Sequence, residues 1–162
     1  AEEPGMASRQ RVLVIANRTA DSMDLIEALR RRVGEEGTSF TLLVPAVPHG
    51  LSWAADMKAG WSPAITHAER ASKRIRASGI ALEEVIVGDP DPFAAAGDVL
   101  HAGGFAEVIV STLPRGLSNW LKLGLADRLR RAFEIPVTQV SAHQRAGPAP
   151  VRLREPVGVR SV

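Results

Sequence analysis

Cysteine is absent from the 162-residue chain, which excludes disulfide frameworks, thiolate zinc sites and cysteine nucleophiles together. Aromatic residues are scarce, at 4%. A general nucleic-acid surface needs a basic stripe, preferably with aromatics on which bases stack, so nucleic acid is a disfavoured partner. A strong excess of one charge is missing too. Lys and Arg number 20 against 18 Asp and Glu, giving a formal net charge of +2, although the pI is about 9.7. Lysine occurs only at Lys58, Lys73 and Lys122, and the charges mostly alternate in sign until the tail, where four Arg accompany one Glu from Arg145 onward. No apolar run approaches the length of a membrane helix. The first residues, AEEPGMASRQ, lack the apolar centre of a secretory signal. These features are compatible with the cytoplasm, and no membrane partner is expected.

What is present suffices for one domain with a real core: 45% of the residues are apolar. Residues 1–10 are expected to be a disordered leader or appended residues, 11–143 the domain, and 144–162 a Pro- and Arg-rich tail. The tail stretch VRLREPVGVRSV has the composition of an arm that could pair with a sheet edge.

Strand and helix patterns alternate along the domain. RVLVIA, from Arg11 to Ala16, is a short β-branched apolar run of the kind buried on both faces. NRTADS follows, and Asp21 or Ser22 can cap a helix running to about Val33, with Leu25, Ile26, Leu29 and Val33 on one stripe and Gly34 and Gly37 ending it. FTLLV, Phe40 to Val44, is the second strand, ended by Pro45 and Pro48. The long connection AVPHGLSWAADMKAGW carries Trp53 and Trp61, which could line a small apolar pocket or a partner surface. In the helix SPAITHAERASKRIRASG, Ile65, Ala68, Ala71 and Ile75 recur at helical spacing. Leu82 to Val87 is the third strand, Pro92 to about His101 a short Ala-rich helix, and Ala106 to Val110 the fourth strand. Ser118 to Phe133 reads as the fourth helix, with Leu121, Leu125, Leu129 and Ala132 on one face and Trp120 as a core member. Pro136 to Val140 reads as the fifth strand.

Four βα repeats and a final strand specify an α/β fold, a parallel sheet with helices on both faces. Ligands of such sheets sit beyond the carboxyl ends of the strands, where the strand order reverses. Four loops therefore hold the candidate contacts. NRTADS gives Asn17 and Thr19, and VPAVPHG begins at Val44. VGDPD gives Gly88 and Asp89, and STLPRGLS with its following turn gives Ser111, Thr112, Arg115, Gly116, Ser118, Asn119 and Gly124. Each has a plainer role as well. Asn17 and Thr19 form turns, Gly-Asp-Pro ends a strand and enters a helix, and Ser118 caps a helix whose N–H groups could hold an anion.

Other chemistries find no constellation. His49, His67, His101 and His143 lie on different elements, and no HExxH or paired ligand spacing supports a metal. No G-x-S-x-G elbow makes Ser111 or Ser118 a hydrolase nucleophile, and no G-x-G-x-x-G follows the first strand for a dinucleotide.

Three segments, RVLVIANRTADS, VGDPDPFAAA and EVIVSTLPRGLSNWLKLGLADRLRRAFEIPVTQV, together with the order of elements, resemble the universal stress protein family over Arg11 to Ser141. The resemblance implies a Rossmann-like three-layer α/β/α fold with a five-stranded parallel sheet, of the adenine nucleotide alpha hydrolase-like type. It also implies a cytoplasmic stress-linked or regulatory role, no enzyme activity, and a homodimer joined through the last strand, Pro136 to Val140. The family's ATP loop reads glycine, two residues, glycine, nine residues, then Gly-Ser or Gly-Thr. Here these positions fall on Ser111, Pro114 and Gly124-Leu125, so one glycine of three remains and the hydroxyl is lost. Glycine lets the backbone approach phosphate, whereas proline removes an N–H donor. Asn17 also replaces the first-strand Asp of many ATP binders. Ordinary ATP binding is thus disfavoured, no cofactor is certain, and the expectation is a regulatory module with a degenerate loop. The alternative is a nucleotide or anion sensor that uses Arg115 and the loop hydroxyls. An enzyme of a related nucleotide-binding class would need a catalytic constellation the sequence does not show.

Overall fold

Five strands hydrogen-bond in one parallel sheet. They are β1 (Gln10–Ile15), β2 (Thr38–Pro45), β3 (Leu82–Gly88), β4 (Glu107–Thr112) and β5 (Val137–Ser141), in the order β3-β2-β1-β4-β5. The structure is a computed structural model and describes residues 9–33, 37–46, 61–113, 120 and 123–142. β1 is central: Val14 is in register with Leu42 on one side and with Ile109 on the other. This is the Rossmann-like three-layer α/β/α arrangement the sequence pattern implies.

The alternation of side chains along β1 divides the core. Val12 and Val14 face α1 (Met23–Arg32) and α2 (Trp61–Ala77), which cover that side with Leu25, Ile26, Leu29, Ala68 and Ile75. Leu13 and Ile15 face the opposite side, where α3 (Pro92–His101) and α4 (Leu125–Phe133) pack through Ala95, Ala96, Leu125 and Leu129. Each β-branched or leucine side chain buried here contributes about 1.5–3 kcal/mol of transfer free energy. The apolar run of β1 therefore serves two cores at once.

Three positions depart from the expected stripes. Val33 is 45% exposed, because α1 ends at Arg32 and Val33 continues in an extended conformation. Ile65 is 44% exposed, and Ala64 takes the inward place ahead of Ala68, Ala71 and Ile75. One residue of helix is a turn of about 100°, enough to move a side chain from the stripe to solvent. In α4 the buried arc holds Leu125, Ala126 and Leu129, and Ala132 falls outside it.

The last helix also begins later than expected. Leu123 and Gly124 form a turn, Gly124 is left-handed at φ 60°, and α4 starts at Leu125. Trp120 is helical and packs, half-buried, on the second core, but this turn separates it from α4. Pro48, Trp53, Leu121, Gly34, both termini and the middle of the long connection lie outside the described residues.

The N-terminal end of the sheet is tied by polar contacts. The buried Glu107 carboxylate pairs with Arg32 of α1 and accepts a 2.7 Å hydrogen bond from the Thr138 hydroxyl of β5. Arg130 of α4 donates to the Val137 carbonyl at 2.7 Å and to Asp127 at 2.6 Å.

Candidate functional site

β1 and β4 are neighbours, yet their outgoing connections leave to opposite faces, α1 on one side and α4 on the other. Their carboxyl ends are the switch point of the sheet, the place where open sheets of this kind hold ligands. The chain leaves β1 with Ala16 N–H still bonded to Leu43 O, then turns at once: Ala20 N–H donates to Asn17 O at 3.1 Å and Ser22 N–H to Thr19 O at 3.0 Å. Ser22, one of the two capping candidates, caps α1 by accepting from Leu25 N–H at 3.2 Å. These bonds hold Asn17 and Thr19 just beyond the carboxyl end of β1.

Thr19 reaches across to β4. Its hydroxyl lies 2.7 Å from that of Ser111, and both residues are buried. The Asn17 side-chain oxygen is also buried, with no hydrogen-bond partner among the described residues. Thr112, the next residue of β4, points to the opposite face. Its buried hydroxyl has no partner among the described residues either, and it lines a cleft of about 80 Å³ with Val110, Trp120, Gly124, Asp127 and Gln139. The structure thus brings Thr19 to Ser111 on one face of the sheet, and Thr112 and Gly124 to a cleft on the other.

α4 starts at this cleft. Gly124 has no side chain with which to cap it, so the first-turn N–H groups carry no side-chain partner there. A helix N-terminus attracts anions through these groups. Asp127, in the first turn and lining the cleft, opposes that attraction, tempered by its bond to Arg130.

The remaining candidates separate. Val44 is wholly buried in the first core at the end of β2. Gly88 and Asp89 end the edge strand β3, with β2 between them and β1. Gly88 is needed for packing: a Cβ there would stand 3.0 Å from both the Ala95 Cβ and Leu43 Cδ1. Asp89 accepts from Asp91 N–H at 2.8 Å, and Asp91 caps α3 through Phe93 N–H at 3.0 Å. Gly-Asp-Pro is therefore built as a strand end and helix entry. Arg115, Gly116, Ser118 and Asn119 lie outside the described residues.

Asp127 and Gln139 line the cleft without having been singled out by sequence. Reading Gly124 as the start of the last helix would have placed Asp127 in its first turn. For Gln139 no local signal exists, because its place depends on the register Val110↔Gln139 between strands. Among the described residues, no three His, Asp or Glu side chains gather as metal ligands, and no helix is long and apolar enough to cross a membrane.

No family model matches the chain, and no curated protein matches it. Solved structures do. A universal stress protein in complex with cAMP is 20% identical, over 84% of this chain and 99% of that one, with a TM-score of 0.54. The universal stress protein of Archaeoglobus fulgidus is 15% identical, over 81% and 93%, at 0.55. A universal stress protein family member of Arabidopsis thaliana with AMP bound is 15% identical, over 87% and 97%, at 0.53. At these identities the likeness is one of fold: the chain has the fold of the universal stress proteins.

Proposed function

We propose that the chain is a universal-stress-protein-like regulatory or stress-response module of the cytoplasm, dimeric and non-enzymatic, with a degenerate ATP-binding loop. One observation carries the reading. The start of α4 presents Leu125 and Asp127 beside the left-handed Gly124, an apolar and an acidic side chain where a phosphate would need donors. Ser111 and Pro114 in place of glycines add to it. The test is calorimetry with magnesium and ATP on protein stripped of bound nucleotide by denaturation and refolding. No heat up to millimolar ATP is the expected result, and micromolar binding overturns the reading.

A second reading, a nucleotide or anion sensor of the same fold, is favoured by the unpartnered Thr112 hydroxyl in the cleft. The nucleotides in the complexes with cAMP and AMP give it a ligand class. Arg115 and the loop hydroxyls would then hold the anion, and Arg115→Ala would weaken binding at least tenfold. Unchanged affinity would remove the loop from this reading.

The dimer would form through β5. The two outer strands differ: β3 displays the exposed acids Glu83 and Glu84, whereas β5, VTQVS, has no charge. Charged side chains guard an edge against pairing, and an uncharged edge invites it.

A further inference from the structure

β3 is an outer strand, and among the described residues no strand lies beyond it. Gly88 O accepts from Ala46 N–H on the β2 side. Peptide groups alternate along a strand, so Val87 and Val85 turn their own N–H and C=O groups outward. Val85, Ile86 and Val87 are only half-buried, whereas their neighbours in β2, Leu42 to Val44, are wholly buried. An apolar edge of this kind is a template for another strand. The exposed Glu83 and Glu84 flank it.

The tail holds a segment whose pattern fits this edge. Residues 151–154 read Val-Arg-Leu-Arg, between Pro150 and the pair Glu155-Pro156. They lie outside the described residues. We propose that this segment adds to the outer edge of β3 in its own chain, antiparallel, with Val151 opposite Val87 and Arg154 opposite Glu84.

The two faces of the sheet set the register. Val85 and Val87 pack on the first core and Ile86 on the second. Opposite residues of paired strands share a face. Val151 and Leu153 then extend the apolar row of Val87 and Val85, and Arg154 meets Glu84 on the other face. A slip of one residue would put the arginines on the apolar row. The ladder stops at Glu83, the extra residue of a bulge against β2, which already pairs with Arg11 at 3.5 Å. Pro150 lacks the N–H that a ladder needs and bounds the segment on the other side. The reach is sufficient. A strand beyond β3 lies five spacings from β5, about 24 Å, and the nine Cα steps from Ala142 to Val151 span up to about 30 Å. Charge selects the tail over a second copy of β3. The copy would bring acids to acids, whereas the tail carries four Arg and one Glu from Arg145 onward. The proposal uses the edge opposite to the one assigned to the dimer and does not depend on it.

The chain has no cysteine, so an engineered disulfide reports the pairing without interference. Opposite residues of an antiparallel pair lie about 5.5 Å apart, within disulfide reach. The full chain is made with Val87→Cys and Val151→Cys, and for comparison with Val140→Cys and Val151→Cys, which tests the β5 edge. The expected result is an intrachain cross-link in the first protein, formed at least fivefold faster than in the second, on non-reducing electrophoresis of dilute samples. Arg154→Glu added to the first protein should slow the cross-link about three- to fivefold, and Glu84→Arg added to that should restore it. No cross-link at Val87, a cross-link only between chains, or an equal or faster one at Val140 overturns the proposal. A rate indifferent to the charge reversals overturns the pairing of Arg154 with Glu84, and the register with it. A denaturation midpoint for each reduced protein confirms that it is folded.

Discussion

Glu107 shows how a single residue can be required by its surroundings. Its carboxylate is buried at the N-terminal end of β4, where it pairs with Arg32 and accepts from Thr138, so one side chain links α1, β4 and β5. Glu107→Ala should destabilise by about 1–3 kcal/mol in urea denaturation, because Thr138 loses its acceptor and α1 its anchor. Arg32→Ala should cost less, about 1 kcal/mol, since half of that side chain faces solvent and water screens it. An equal loss in both variants would contradict this ranking. Gly88 is a second case. Gly88→Ala forces a Cβ to 3.0 Å from Ala95 and Leu43, and overpacking of this kind costs about 1–3 kcal/mol. A midpoint unchanged from wild type would mean that α3 moves away freely.

At the scale of elements, α4 begins where it does because Gly124 turns left-handed. A non-glycine residue there pays a steric penalty, so Gly124→Ala should lower stability by about 1 kcal/mol. A more stable Gly124→Ala protein would instead indicate one helix running through this point. That continuous helix was the natural sequence reading, since Leu121, Leu125 and Leu129 keep helical spacing straight across Gly124. Periodicity records which residues are apolar, and a left-handed residue interrupts the backbone without disturbing it. Elsewhere the elements were legible for clear reasons. RVLVIA is buried on both faces and needs no polar alternation, and Asp91-Pro92 marks the entry of α3 by a cap and a preset φ. Ile65 shows the limit in the other direction, because a stripe of small residues, Ala64, Ala68 and Ala71, outweighs one large side chain when a helix lies close to a sheet. Of the site, the loops were readable from the topology, and the structure joins Thr19 to Ser111 on one face and sets Thr112 and Gly124 along a cleft on the other. The Thr19–Ser111 bond and the place of Gln139 were not, because both depend on strand order and register rather than on local spacing.

For the whole molecule, the order β3-β2-β1-β4-β5 leaves two outer strands of different character and a switch point between β1 and β4. If the uncharged β5 edge joins two copies, Ser141→Glu, which puts a charge on that edge, should shift the protein toward monomer in light scattering while the fold persists. A wild-type monomer would contradict the dimer at once. If the loop is degenerate, the cause lies in Ser111, Pro114 and Leu125, which stand where the resemblance places two glycines and a hydroxyl. The direct measurement is ATP affinity, with magnesium, for the wild-type protein beside the triple variant Ser111→Gly, Pro114→Gly, Leu125→Ser. The account predicts no binding below millimolar ATP in the wild-type protein and a gain of at least tenfold in the variant. Micromolar binding by the wild-type protein, unchanged or weakened by the three substitutions, would contradict it.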